Sequence, residues 1–138
     1  MAMAGYSTTP LANKLGFRDG SRVLIVNEPK HYRSLVAPLP DGIALSNRLR
    51  NNVDICHVFS RSAAELARQL AKLKSVIVES GCIWVSWPKK ASKVPTDITE
   101  DTIRKIALPM GLVDIKVCAV DETWSGLKLV IRKELRRS

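Results

Sequence analysis

Apolar residues fall along this chain in two rhythms. Three stretches are near-continuously apolar and short: Arg22 to Val26, Val53 to Phe59 (VDICHVF) and Cys82 to Trp87, the last closed by Pro88. Runs of this kind suit strands buried on both faces of a sheet. Between the second and third the period lengthens. Leu66, Leu70, Leu73 and Ile77 recur at spacings of four, three and four, which predicts a helix facing a sheet, with Arg68, Lys72 and Glu79 turned to water. Ser62-Ala63-Ala64-Glu65 predicts its start as a capping box, and Gly81 its stop. A second helix opens at Asp97 or Thr99. Glu100 and Asp101 in its first turn and Arg104 and Lys105 later match the helix dipole, Ile103, Ile106 and Ala107 form its buried face, and Pro109 and Gly111 end it.

The remaining pattern is shorter-ranged. Thr9 and Pro10 predict the N-cap and first residue of a helix over Leu11 to Leu15 that stops at Gly16, and Arg18-Asp19-Gly20 turns into the first strand. A short helix at about His31 to Val36 is cut off by Pro38 and Pro40; after the Asp41-Gly42 turn, Ile43 to Leu45 predicts a brief edge strand. Its direction stays open, because the residues between Leu45 and Val53 are too few for a helical crossover. The chain closes with strands at Val113 to Val120 and Leu127 to Arg132, joined through Trp124-Ser125-Gly126 and therefore antiparallel. Strands alternating with helices imply a three-layer, Rossmann-like α/β fold: a mainly parallel sheet, helices on both faces, and an antiparallel C-terminal strand. With no repeat or linker, the expected organisation is an N-terminal helical arm over residues 1–20 and one α/β domain over 21–138.

Composition changes this picture little. At 138 residues, 46% hydrophobic and 25% charged, the chain can bury roughly two thirds of its unfolded surface and needs no staples. Cys56, Cys82 and Cys118 are odd in number and far apart, which indicates neither a disulfide framework nor a zinc site and suits reduced core residues. No apolar run reaches membrane-spanning length and MAMAGYSTTP has no signal-peptide regions, so a cytoplasmic protein with no membrane partner is expected. The net charge of +9, densest around Lys128, Arg132, Lys133, Arg136 and Arg137, admits a nucleic acid or an acidic protein as partner.

The order of elements from LGFRDGSRVLIV through VDICHVF and GCIWVSWP to the closing hairpin resembles, over residues 15 to 132, a reduced class I methyltransferase fold. That resemblance implies a last strand inserted antiparallel beside its predecessor. The family signature is a glycine-rich turn after the first strand and an acidic residue ending the second. Here Asn27-Glu28-Pro29-Lys30 stands in place of the glycines and Asn47 follows the edge strand. Side chains throughout that turn block close backbone approach, and Pro29 removes an amide donor. The segments TPLANKLG, VSWPKKAS, TDITED and GLVDIKVCAVDETWSGLKLV resemble a family of small, mostly bacterial proteins known only as a domain of unknown function. The likeness is most specific at WPKK and VCAVDETWSGLK, and it implies a fold without an activity, a cofactor or a site residue.

In an open α/β sheet, ligands bind beyond the carboxyl ends of the strands. Those ends gather Asn27, Glu28 and His31 from the first loop, Ser60 and Arg61 from the second, Trp87, Lys89, Lys90 and Lys93 from the third, and Asp121, Glu122 and Trp124 from the hairpin. Trp87-Pro88-Lys89-Lys90 offers a flat face and two cations for an anionic or planar ligand, or else a core tryptophan beside solvated lysines. Arg61 precedes a helix N-terminus that favours anions. His31 with Glu28 has the spacing of a general-base pair or of a plain helical turn. His57 reads as a satisfied core histidine, and Asp121 and Glu122 point apart if extended, so they cannot share a metal. Without a G-x-S-x-G elbow, and with Cys56 and His57 on opposite strand faces, acyl transfer is disfavoured. The expected function is a non-catalytic module binding a small anionic or nucleotide-like ligand, with no catalytic residue, cofactor or metal. The alternative is nucleic-acid or acidic-protein binding through the basic surface; a third reading is a divergent S-adenosylmethionine-dependent methyltransferase. The oligomeric state is left open.

Overall fold

The computed structural model describes residues 9–136, so residues 1–8 of the expected arm, and Arg137, lie outside the described residues. In chain order the elements are α1 (Leu11–Leu15), β1 (Arg22–Val26), α2 (Tyr32–Leu35), β2 (Ala44–Ser46), β3 (Val53–Phe59), α3 (Ala63–Val76), β4 (Ile77–Pro88), α4 (Glu100–Ala107), β5 (Leu112–Ala119) and β6 (Trp124–Ile131). The six strands form one sheet in the order β2-β1-β3-β4-β6-β5. β2, β1, β3 and β4 are parallel; β6 runs antiparallel between β4 and β5, where the fold resemblance put it.

Alternation along the buried strands divides the core between the two faces. Leu24, Cys56, Val58, Ile83 and Val85 pack under α3 and α4 against Leu66, Leu70, Leu73 and Ile103. Val23, Ile25, Ile55, Cys82 and Trp84 face α1 and α2, meeting Ala12, Leu15, Tyr32 and Val36. The three thiols are free, Cys56 and Cys82 buried and Cys118 half-buried. Burial pushes the Cys56 thiol up to about 12 and the Cys82 thiol to about 11. No helix among the described residues is long and apolar enough to cross a membrane.

Several expectations are corrected locally. Pro10 itself takes the cap position of α1, without a side-chain cap bond, while Gly16 closes the helix with φ 85° as expected. The edge strand lies one residue later than read, at Ala44–Ser46, and is parallel to β1. It needs no crossover helix because three residues rise only part way up the sheet, so a short return reaches β3. At the start of α3, Ser62 Oγ accepts from Glu65 N at 3.3 Å, but Glu65 does not reach back: Ser60 Oγ takes the Ser62 amide. Asp97 is not the cap of α4, which Thr99 supplies in a reciprocal capping box with Thr102; its carboxylate instead accepts from Ala63 N at 2.8 Å. The hairpin turn is Asp121 to Thr123, and Trp124, Ser125 and Gly126 already belong to β6.

Gly81 is likewise not a helix stop. α3 ends at Val76 and the chain passes straight into β4. The pairing of Val53 with Ile77 jumps to Ile55 with Cys82, and Gly81 sits in this irregularity. A methyl group there would come within 2.8 Å of the Asp54 carbonyl and 3.0 Å of the Val78 carbonyl. Both obstacles are backbone, so Gly81→Ala should lower stability by about 1–3 kcal/mol. Chemical denaturation would show it, and an unshifted midpoint would refute the packing argument.

Candidate functional site

β1 leads outward to β2, and the chain then returns to β3 on the other side of β1, so the strand order reverses between β1 and β3. At such a reversal the loops leave in opposite directions and a crevice opens at the carboxyl ends. A cleft of about 730 Å³ lies here, walled by Asn27, Phe59, Ser60, Arg61 and Trp124 together with Ser62, Glu65, Val94, Pro95 and Thr123.

The cleft is braced by short polar contacts. Asn27 adopts φ 59°, a left-handed conformation that Asn tolerates better than most residues. Its Nδ2 donates to the Phe59 carbonyl at 2.9 Å and to Glu65 Oε1 at 3.1 Å, tying the end of β1 to β3 and α3. Glu65 also accepts from Gln69 Nε2 at 3.3 Å. Beyond Asn27 a second cavity of about 340 Å³ is bordered by Asn47, Leu49 and Gln69, so this side chain stands between two hollows. Gln69 Oε1 is buried without a protein partner among the described residues.

Arg61 is exposed, and the loop after β4 fixes its main chain: the Arg61 carbonyl accepts from Thr96 Oγ1 at 2.8 Å and from Asp97 N at 3.3 Å. The first amide of α3 is occupied by Asp97, an acidic side chain standing where an external anion would dock. In the hairpin that brings Thr123 and Trp124 to the cleft, Asp121 Oδ1 accepts from the amides of Thr123 and Trp124, each at 2.8 Å, and so shapes the turn that presents Trp124. The Trp124 ring meets Phe59 edge-on at 5.0 Å, Phe59 stacks on His57 at 4.3 Å, and His57 meets Tyr32 at 5.3 Å. A ladder of rings thus runs from the cleft into the core. Within it His57 is satisfied on both nitrogens, by Tyr32 Oη at 2.9 Å and Ser86 Oγ at 2.7 Å. Burial lowers its pKa to about 3 and raises that of the Tyr32 hydroxyl.

Of the residues singled out from the sequence, Asn27, Ser60, Arg61 and Trp124 come together. The others do not join these walls. Glu28 pairs with Arg33 at 3.2 Å rather than with His31, which is exposed, so no general-base pair forms. Trp87 is 8% exposed and packs in the core under α3 and α4, leaving no open face for stacking. Lys89 joins the hairpin through its amide, which donates to the Thr123 carbonyl at 2.8 Å. Lys90 and Lys93 are exposed in the turn that follows, and Glu122 is exposed at the hairpin tip. Phe59, Ser62, Glu65, Val94, Pro95 and Thr123 were missed. A strand-ending Asn that no glycine follows was the available signal for a positive φ and a side chain turned toward neighbouring strands.

No curated protein matches the chain. Among solved structures, a SAM-dependent methyltransferase from Aquifex aeolicus is similar at 16% identity and a TM-score of 0.65, over 88% of this chain and 87% of that one. The tRNA methyltransferase TrmK of B. subtilis is similar at 11% identity and a TM-score of 0.58, over 87% and 63% respectively. The ribosomal protein L11 methylase of Lactobacillus delbrueckii subsp. bulgaricus gives 13% identity, a TM-score of 0.53 and coverages of 80% and 70%. At these identities the likeness establishes the fold, a methyltransferase-like Rossmann arrangement. The residues here do not fit S-adenosylmethionine held on a glycine-rich turn, because the Asn27 side chain bridges to Phe59 and Glu65 where that cradle would lie, so no methyl-transfer step is derived. Residues 33–133 match the family described as "Protein of unknown function (DUF3052)", and the chain belongs to that family.

Proposed function

We propose that the protein is a non-catalytic Rossmann-like module that binds a small anionic or nucleotide-like ligand at the carboxyl ends of its strands. The observation that carries this reading is the cleft of about 730 Å³ at the point of strand reversal, lined by Arg61 and by the Phe59–Trp124 pair. A guanidinium supplies forked donors to a phosphate or carboxylate, and an aromatic wall suits a planar ring. Glu65, with one oxygen engaged by Asn27 and Gln69, offers the other to a hydroxyl or amine of the same ligand. Lys89, Lys90 and Lys93 contribute long-range attraction from the adjoining turn, and the hairpin acts through the Asp121-shaped turn.

Thermal unfolding with 1 mM ATP, AMP, S-adenosylhomocysteine or inorganic phosphate tests this reading. A ligand at a hundred times its Kd adds about 2.7 kcal/mol of stability. Losing one charge-assisted hydrogen bond costs about 1.5–3 kcal/mol, so Arg61→Ala should weaken binding about 10- to 100-fold while the ligand-free melting temperature stays put. Failure of every probe to raise the melting temperature, or unchanged affinity in Arg61→Ala, would overturn it. Methyl transfer observed from S-adenosylmethionine would put the methyltransferase reading in its place.

A further inference from the structure

A second, independent feature lies at the opposite rim of the sheet. Among the described residues, α1 and α2 cover the sheet face that carries Trp84 and Val130, and across β5 and β6 that face presents lysines. Lys116 is paired in register with Lys128. Lys128 borders a cavity of about 500 Å³ with Arg18, Cys82 and Val130, and both Lys116 and Lys14 act electrostatically on the Cys118 thiol. Lys14, Arg18, Lys128 and Lys116 therefore gather into one basic patch that spans α1, the turn after it, β6 and the edge strand β5.

Among the described residues no ion pair involves Lys14, Arg18, Lys116 or Lys128; the ion pairs belong to Arg22, Arg33, Arg104 and Arg132. Two carboxylates border the same cavity: Asp54 is paired with the amide and guanidinium of Arg22, and Asp19, which accepts from Asp41 N, leaves a single unpaired negative charge against four cations. Like charges directly opposite on neighbouring strands repel and destabilise the sheet. An external anion would relieve that repulsion.

We infer that this face binds the phosphate backbone of duplex nucleic acid. Cations spread over α1, the turn after it, β6 and β5 match successive phosphates better than a single small anion. Phe17 and Trp84, the rings beneath this region, are buried, so among the described residues no stacking platform for single-stranded bases is presented there. Contact is with backbone, independent of sequence, and the net charge of +9 draws a polyanion to the molecule.

The experiment is a fluorescence-anisotropy titration of a labelled 20-base-pair duplex at 50 and 200 mM salt. Four phosphate contacts predict a fall in affinity of about 10²-fold between these conditions. The variant Lys116→Thr/Lys128→Thr should bind more weakly at 50 mM and lose only about tenfold over the same interval. Its melting temperature should hold or rise, because the repulsion is gone; a structural role for the lysines would lower it. The inference is overturned if the duplex does not bind at 50 mM, if the variant binds as the parent does, or if polyglutamate competes as well as unlabelled duplex, which would assign the face to acidic protein.

Discussion

Replacing His57 by Gln should remove about 3 kcal/mol from the stability that this protein loses between pH 7 and pH 4. The imidazole is fully buried and burial lowers its pKa to about 3, while in the unfolded chain it returns to about 6.5. Between those values the unfolded state takes up a proton that the folded state refuses. The folded state therefore keeps its full advantage above about pH 6.5 and loses about 1.4 kcal/mol for each pH unit on the way down toward 3. Asp and Glu titrate in the same range, so the informative quantity is the difference between parent and variant, measured by denaturant unfolding at both pH values. Gln cannot charge but still offers a donor and an acceptor to Tyr32 and Ser86. At neutral pH it should cost about 1–3 kcal/mol, the price of imperfectly satisfied buried hydroxyls. Parallel stability curves in the two proteins would show that His57 is not the acid-sensitive group.

Trp84→Ala should be about as damaging, at roughly 3–5 kcal/mol. The ring is fully buried in the central strand β4, and its Nε1 donates to the Leu15 carbonyl at 3.0 Å, clamping the end of α1 to the sheet. The neighbouring strand makes room for it: a methyl on Gly126 would lie 3.3 Å from Trp84 Cε3 and 3.3 Å from Val120 Cγ2. Trp84→Phe keeps most of the apolar contact but drops the hydrogen bond, so a smaller loss of about 1–2 kcal/mol is expected. Undocking of α1 should be visible as new tryptic cleavage at Lys14 and Arg18 in the Ala variant under conditions where the parent is intact. If both variants lost the same stability and neither were cut, the clamp between Trp84 and Leu15 would be of no account.

The central strands were legible because β1, β3 and the Cys82 to Trp87 part of β4 are buried apolar runs; Ile77, Glu79 and Gly81, read as the end of the helix, already belong to β4. β2 was not legible, since three half-buried residues carry no period and its direction is decided by tertiary placement beside β1. Gly81 misled because a glycine after an amphipathic stripe looks the same whether it ends a helix or relieves crowding in a strand. At the cleft, convergence of Asn27, Ser60 and Arg61 follows from parallel strands, and that of Trp124 from an antiparallel β6 that starts at the same rim. Side-chain direction does not: whether Trp87 faced a ligand or the core depended on strand parity, and the structure turns it inward. Glu65 was hidden in a capping pattern that uses half its chemistry locally and spends the carboxylate on Asn27, 38 residues away.

β6 lies between β4 and β5 and hydrogen-bonds to both. On the ribosome, therefore, β5 emerges before it has a place to go, and the tryptophan-bearing edge of β4 stays bare until Trp124–Ile131 clears the exit tunnel. Synthesis interrupted just short of this hairpin would release a chain with an unpaired apolar strand, a form suited to capture by chaperones or to clumping with its own kind.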